Sequence, residues 1–455
     1  MSLYTSKDID AIKDKLPIIK DEIQKIKLNT FDPTIKEIKK VNDLVYKFIK
    51  NKKRIVYGGF AQNLLIKINN EDDQFYSELD TPDIEFYSPS PIEDIMELCD
   101  YLHKNGISRI NGQEGVHIET YKLFVNFAEY CDIGYMPLNV YNKIPTINVN
   151  GFRIADPLFM TIDVFRVFSD PLTSFWRVEK SFLRNDLVLK YYPLPKNSEN
   201  KKIIISKNNN FKILRFLRKS VLRKMESIII IGYYAYNYYI KKAGLKNLLV
   251  NESSYDIISV NYEKDIIYIF NKLKRVYGKS ITYKEYYKFS QFAGKSTRFY
   301  YNKNLVLTVW DYNERCTVFI NSNNKKLKIA SFSTMIMMIL MLIFHSLVFE
   351  NNVEKNNQTI VLSNLINART TYLKKRNLTV VDDSPFQEFG YKCIGSTMET
   401  QRRQFLEREK RKNNNKKIVF RYEPTGKKGK VPIYVFDNSS GMEIKKKKDL
   451  IIKNN

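Results

Sequence analysis

The sequence predicts a mixed α/β chain of the α+β class: two tandem domains of one design, the second degenerate, with a helical segment in front and a basic extension behind. Three observations carry this. From residue 55 onward, short β-branched and apolar runs alternate with stretches of helical periodicity. A constellation of glycines and acids between residues 55 and 87 returns in diluted form about 174 residues later. The 455 residues also exceed what one ordinary core organises.

Composition narrows the class of partner. Lys and Arg number 75 against 49 Asp and Glu, a formal charge of +26, and a chain this basic is suited to a polyanion, nucleic acid first. Tyr and Phe are frequent, so there is ample side-chain volume for burial. The four cysteines, Cys99, Cys131, Cys316 and Cys393, lie far apart with no C-x-x-C pair, and there are three histidines. Neither a zinc site nor a disulfide framework is expected, and a reducing intracellular compartment fits. The N-terminus has no apolar signal core.

Residues 1–50 form the helical segment. Ile9, Ile12, Leu16, Ile19 and Ile23 recur at steps of three and four, and Asp32-Pro33 breaks the chain before a second helix carrying Ile38, Val41, Val45 and Ile49. The first domain, 51–200, opens on Ile55-Val56-Tyr57-Gly58-Gly59-Phe60-Ala61-Gln62-Asn63, a strand end, glycine turn and helix start. Asp83-Ile84-Glu85-Phe86 follows, where a strand's period of two places both acids on one face. A helix from Ile92 to Asn105 and strand-like runs through Lys122–Ile133, holding Asp132, complete its front half.

In the second domain, 201–395, Ile231-Gly232-Tyr233-Tyr234-Ala235-Tyr236-Asn237 echoes the glycine turn, and Tyr255-Asp256-Ile257-Ile258 echoes the acidic strand. Aligned by sequence, Gly59 becomes Tyr233, Glu85 becomes Ile258, Asp256 survives, and Asp311 stands near the place of Asp132. A two-copy repeat of this length is domain duplication rather than a solenoid. The apolar run Ser331–Phe349 approaches the ~20 residues of a membrane span. It has a counterpart after Ala155 in Asp156-Pro157-Leu158-Phe159-Met160, which assigns it to a core or a subunit contact instead. The extension, 396–455, is basic: from Gly395 onward there are 17 Lys and Arg against 7 Asp and Glu. Arg402, Arg403, Lys416, Lys417, Lys427, Lys428 and Lys430 are its candidate polyanion contacts, interleaved with Phe420, Tyr422, Tyr434 and Phe436, and a hairpin is expected within 416–437.

The chemistry centres on the first copy. Moving a nucleotidyl group requires the attacking hydroxyl, the phosphate and the leaving group to be held in line while metal ions offset charge. Two divalent ions, Mg²⁺ or Mn²⁺, do this best when held by hard carboxylate oxygens. Asp83, Glu85 and Asp132 supply such a set, and Gly58 and Gly59 form a turn that holds phosphates, with Asn63 one helical turn beyond. Asp80 would fall on the opposite strand face from Glu85, which favours Asp83 as the first ligand.

The order G-G, then D-h-E-h, then h-D-h resembles the DNA polymerase β-like nucleotidyltransferase superfamily. Within it, Tyr57–Asn63, Thr81-Pro82-Asp83-Ile84-Glu85-Phe86-Tyr87, the Ala155-Asp156-Pro157-Leu158-Phe159 segment and the degenerate second copy resemble the poly(A) polymerases of giant DNA viruses, mimivirus and megavirus type, with the poxvirus enzyme as a distant relation. The resemblance spans roughly residues 40–395. It implies paired nucleotidyltransferase domains, ATP as substrate, template-independent extension of an RNA 3′ end, a homodimer, no membrane, and a place in the virion and the host's cytoplasmic viral factory. It departs from the superfamily pattern in the gap of 23 residues between Gly59 and Asp83, which the polar run Asn69–Asp73 fills. Two other functions share these motifs: a catalytically silent RNA-binding or processivity subunit, and a nucleotidyltransferase of CCA-adding or oligoadenylate type.

Overall fold

The computed structural model describes residues 4–30, 34–77, 80–117, 119–196, 202–205, 210–322, 327–413, 420–424 and 438–452. The chain divides into two compact units: Met1–Tyr135 with Thr146–Ile154 and Glu407–Tyr434, and Met136–Pro145 with Ala155–Leu406 and Val435–Asn455.

The first unit opens on two helices, α1 (Ser6–Thr30) and α2 (Ile35–Lys52). The Thr34 hydroxyl caps α2 by accepting the Glu37 amide, and Val41, Val45, Phe48 and Ile49 bury one face. Seven strands follow: β1 (Ile55–Tyr57), β2 (Ile84–Ser88), β3 (Ile110–Glu114), β4 (Thr120–Val125), β5 (Ala128–Tyr135), β6 (Thr146–Val149) and β7 (Phe152–Ala155). Between them run α3 (Gly58–Lys67) and α4 (Pro91–Lys104). The strands lie in the order β3-β4-β5-β2-β1-β7-β6, with β1 parallel to β7 and β2 parallel to β5. Arg54 pins α4 beneath β1 through a two-point ion pair with the buried Asp94 (2.6 and 2.8 Å).

The second unit repeats this design. Its strands are β8 (Ile228–Ile231), β9 (Tyr255–Ser259), β10 (Ile281–Tyr286), β11 (Ser296–Tyr301), β12 (Asn304–Asp311), β13 (Cys316–Asn321), β14 (Lys328–Ala330) and β15 (Cys393–Gly395). The order β10-β11-β12-β9-β8-β14-β13 reproduces that of the first sheet strand for strand. The expected mixed architecture with a repeated second half is therefore the observed one, in connectivity as well as in sequence.

The apolar run forms a helix, Phe332–Val348, started by the Ser331 hydroxyl and buried along nearly its whole length. It lies against the helix Pro157–Phe168, with Phe159 edge-on to Phe344 at 5.1 Å, and against the helix Asn352–Arg376. The two helices that the repeat made counterparts thus bury each other. No helix among the described residues is long and apolar enough to cross a membrane.

Two features depart from expectation. Cys316 and Cys393, 77 residues apart, form a disulfide where β15 pairs with β13. Sequence distance concealed it, because only the return of the chain after the helix Asn352–Arg376 brings the two strands together. The basic extension, moreover, is anchored where it is described. Residues 438–452 lie on the second unit: both carboxylate oxygens of the buried Glu285 accept amides, of Ile451 and Ile452, at 2.9 Å, and Ile452 is buried. Tyr287 donates to Asp449 (2.8 Å), while Lys445–Lys448 remain exposed on this strap. Of the expected hairpin, Arg421–Tyr422 pairs with β3, and Phe420 and Tyr422 are buried, Tyr422 donating to Asp100. The rest of it, with Lys416, Lys417, Lys427, Lys428 and Lys430, lies outside the described residues.

Candidate functional site

The site is built where β1, β2 and β5 lie side by side. In β2 and β5, which run parallel, Glu85 and Asp132 are register partners, and Glu85 also faces Tyr57 at the end of β1. Gly58 makes the turn from β1 into α3 at φ +74°. A Cβ there would sit 1.5 Å from Glu85 Oε2, so the carboxylate occupies the space that the absent side chain leaves. Glu85 Oε2 accepts the Gly59 amide at 3.2 Å, the first free donor of α3.

Three other carboxylates gather beside it. One oxygen each from Asp83, Glu129 and Asp132 lies within 4.8 Å of the other two, with Asp83 and Glu129 exposed and Asp132 buried. Glu85, turned onto the glycine turn, is not in that group. Lys122, opposite Asp132 on β4, reaches both Glu129 and Asp132, with Nζ 2.9 Å from Asp132 Oδ1. Burial pushes the Asp132 carboxyl up to about 7 although Lys122 pulls it down. On Lys122, pairing with the two acids outweighs the opposing effect of burial and raises its pKa.

Glu129 escaped sequence reasoning for a geometric reason. Residues 129 and 132 are an odd number of steps apart and would lie on opposite faces of a regular strand. The β4–β5 register shifts between Leu123 and Phe124, so that Leu123 faces Cys131 but Phe124 faces Glu129. This bulge at Tyr130 brings Glu129 round to Lys122 and Asp132. The hairpin turn itself is Asn126-Phe127, both residues left-handed (φ 48° and 65°), without the glycine that usually marks such a turn. The alternation of buried Tyr121, Leu123 and Val125 with Lys122 was the available signal for an outward lysine.

The remaining predicted residues do different work. Asn63 Oδ1 accepts the amides of Phe75 and Tyr76 (2.9 and 3.2 Å), fixing the loop that leads toward Asp83. Its counterpart Asn237 holds Val250 in the same way. Asp80 takes the amide and hydroxyl of Ser77. Arg403 reaches Glu314 (3.2 Å), and Arg402 is exposed.

The second sheet is an internal comparison, and it corrects the sequence alignment. A Cβ on Gly232 would meet Asp256 Oδ2 at 2.4 Å, as one on Gly58 would meet Glu85. Asp256 faces Ile231 and Thr308 as Glu85 faces Tyr57 and Asp132. The counterpart of Glu85 is therefore Asp256, not Ile258, and that of Asp132 is Thr308, not Asp311. Stepping along the same strands, Ser254 stands for Asp83 and Leu305 for Glu129, while Arg298, opposite Thr308, stands for Lys122. Burial raises Asp256 to about 6, with Thr308 and Arg298 opposing. The second copy keeps the carboxylate at the glycine turn and loses all three that gather in the first.

Clustered carboxylate oxygens on neighbouring central strands suit a hard divalent cation such as Mg²⁺ or Mn²⁺, and the N-terminus of α3 beside them suits a phosphate chain. Known proteins point the same way. A family model described as the poly(A) polymerase catalytic subunit matches residues 43–174, and a second, described as the C-terminal part of a putative APMV poly(A) polymerase catalytic subunit, matches 186–454. The chain is 32% identical over 461 residues to the putative poly(A) polymerase catalytic subunit of Acanthamoeba polyphaga mimivirus, covering 92% of this chain and 78% of that one. It is 31% identical over 165 residues to the putative poly(A) polymerase catalytic subunit of African swine fever virus (strain Badajoz 1971 Vero-adapted), covering 35% and 34% of the two chains. Its fold is similar to the crystal structure of the Megavirus polyadenylate synthase, with TM-score 0.92, 32% identity, and coverage of 99% of this chain and 94% of that one.

Proposed function

The chain belongs to the poly(A) polymerase catalytic-subunit family, and from that footing we propose how its first sheet transfers AMP from ATP to an RNA 3′ end. It is a nucleotidyltransferase, a polynucleotide adenylyltransferase. The observation that carries the assignment of the site is the contrast between the sheets. Asp83, Glu129 and Asp132 gather on the first, and Ser254, Leu305 and Thr308 replace them on the second. Loss of the set in one copy supports reading it as a working feature of the other, and this disfavours a catalytically silent subunit.

In this proposal Asp83, Asp132 and Glu129, with Glu85 alongside, hold two divalent ions, Mg²⁺ or Mn²⁺. Such ions lower the pKa of an attacking hydroxyl and neutralise charge on a departing pyrophosphate. The turn at Gly58 and the Gly59 amide orient the triphosphate of ATP once Glu85 gives up that donor. Asn63 acts at one remove, holding the loop before Asp83. The exposed lysines of the strap, Lys445–Lys448, together with Arg402, supply sequence-independent contacts to the RNA backbone. The working particle is a homodimer that acts in the virion and the host's cytoplasmic viral factory, in keeping with the viral sources of the relatives.

The test is a primer-extension assay with a short RNA, Mg²⁺ or Mn²⁺, and each nucleoside triphosphate in turn. A ladder with ATP alone is expected. Asp132→Asn should cut elongation by at least about a thousandfold, as removal of a group stabilising the transition state does. Asp256→Asn should leave the chemistry nearly intact. The site assignment fails if the second change proves the lethal one.

A further inference from the structure

The second unit keeps open a space that the first has filled. Strand pairing fixes the correspondence. Val56 and Ile230, each two residues before the glycine of its turn, face Ile154 and Ile329 on the neighbouring parallel strand, so Leu327 and Lys328 stand for Phe152 and Arg153. In the first unit the Phe152 ring meets Tyr46 and Phe60 edge-on, each at 5.5 Å, and Lys50 lies over it at 4.4 Å. Tyr46 and Lys50 belong to α2, which runs as a regular helix to Lys52. The helix before β8 does not hold its phase in this way. Phe211–Phe216 passes into a turn of π-helix at Leu217–Val221 and then a 3₁₀ turn at Leu222–Lys224. Single π turns gather at functional sites. With Leu327 in place of the phenylalanine, a cavity of about 240 Å³ lies against β8, β13 and β14.

The lining divides into two kinds of surface. Leu222, Ile228, Ile230 and Leu327 are buried and apolar, while Arg223 and Lys328 are half-buried and Asn321 is exposed. The Arg223 Nε is buried without an acceptor, and no carboxylate pairs with this guanidinium among the described residues. Lys328 donates to the Glu226 carbonyl at 2.6 Å. Burial lowers its pKa, with Lys392 adding to the effect and Glu226 opposing it. Glu226, exposed, is the one acid among the described lining residues. The stretch leading to the cavity, Phe211 to Met225, holds six Lys and Arg and no acid, a field that draws anions in.

We propose that this cavity is a second nucleotide site, one that takes a nucleoside monophosphate without a metal ion, either free or as the 5′-phosphorylated end of an RNA. A phosphate there accepts from Arg223 and Lys328, and so satisfies a guanidinium that the protein leaves without an anion. The base covers the aliphatic side, and Asn321 offers its amide to the base edge. The volume is below the ~300–1,000 Å³ of sites for drug-sized ligands, which favours a single nucleotide over a longer segment. This inference goes beyond AMP transfer and does not depend on where the first sheet holds its metals.

The experiment titrates the full chain with AMP by isothermal calorimetry in EDTA, then with adenosine, inorganic phosphate and 5′-phosphorylated triadenylate. AMP should bind, with adenosine and phosphate each at least about tenfold weaker. Arg223→Gln and Lys328→Gln should each weaken AMP at least about tenfold, because each removes a charged donor to the phosphate. Leu327→Phe, which restores the ring found in the first unit, should abolish binding while the unfolding midpoint holds or rises. That variant should still extend RNA with ATP, so a failure of this site and a failure of the catalytic proposal are told apart. A triadenylate that binds tighter than AMP makes the ligand an RNA end, and a weaker one makes it the free nucleotide; both support the site. No AMP binding overturns it, as does binding that survives both Leu327→Phe and Arg223→Gln. AMP binding lost in Asp132→Asn but kept in Leu327→Phe returns the nucleotide to the first sheet. Adenosine as tight as AMP overturns the role of the two cations, and phosphate as tight as AMP overturns that of the nucleoside.

Discussion

Lys122 places a positive charge where the proposed site wants a metal. With Nζ between Asp132 and Glu129, an incoming cation has to displace or share that amine. Lys122→Met should therefore tighten binding of Mn²⁺ to the nucleotide-free protein, by about tenfold if the displaced pairing is worth ~1.4 kcal/mol. Loss of the lysine also removes a cation that holds the Asp132 pKa down, so the titration belongs near pH 8.5, where a proton no longer competes. Unchanged or weaker Mn²⁺ affinity, read by electron paramagnetic resonance, would place Lys122 outside that contest. Gly58 offers a second residue-level prediction. Gly58→Ala adds backbone strain at φ +74° and drives a methyl into Glu85, which should cost about 2 kcal/mol or more of stability. Gly232→Ala meets Asp256 in the same way and should destabilise comparably, yet only the first change should also depress elongation per folded molecule. At this scale the sequence made Asp83, Asp132 and the glycine turn legible through their spacing. Glu129 was not legible, because a bulge, which has no fixed sequence signature, decides which face it joins.

At the scale of elements, the helix Phe332–Val348 shows how burial sets a pH limit. His345 on this helix sits against Phe289 and Phe349, and burial, with Arg298 nearby, lowers its pKa to about 3. The unfolded chain takes up a proton near pH 6.5 while the folded one does not, so stability is full above that pH and declines as pH falls from about 6.5 toward 3. The limiting slope is about 1.4 kcal/mol per pH unit, reduced by whatever solvent reaches the ring. His345→Leu should flatten this part of a denaturation profile taken between pH 7 and 4; a slope that survives the change would assign the acid sensitivity elsewhere. The strap 438–452 makes a different prediction. Glu285→Ala removes the two acceptors that hold Ile451 and Ile452, so trypsin should cleave within Lys445–Lys448 much faster than in the wild type. Equal cleavage rates would mean that the remaining contacts, among them Tyr287 with Asp449, Tyr283 with Ile452 and the burial of Ile444 and Ile452, hold the strap without the Glu285 carboxylate. The sequence showed this segment as a run of charge; among its anchors is a buried carboxylate 166 residues away, which no local pattern announces.

For the whole molecule, duplication was the most legible property, because hydrophobic order repeats even where chemistry does not. The two sheets share strand order, the glycine turn, the carboxylate beside it and the bulge in the following hairpin. What the linear echo misplaced was register. Matching Asp83 to Asp256 is natural by eye, since both precede an isoleucine, but pairing with β8 and β12 sets Asp256 in the place of Glu85. Short connections changed length between the copies, and hydrogen bonding, not spacing, keeps the correspondence. The disulfide and the mutual burial of the helices Pro157–Phe168 and Phe332–Val348 were hidden for the related reason that both depend on long-range returns of the chain.

The anchoring of the strap on Glu285 also sets an order of events in time. Contacts that close over 166 residues form late, because the chain must first organise everything between them before the loop entropy is repaid. Until residues 438–452 arrive, the buried carboxylate of Glu285 has lost the amides that satisfy it, and the edge strand β10 lacks its cover. During synthesis the second unit therefore stays without this closure until residues 438–452 have been made. A chain cut at residue 437 keeps the proposed ligands Asp83, Glu129 and Asp132 and loses the contacts that close its scaffold over Glu285.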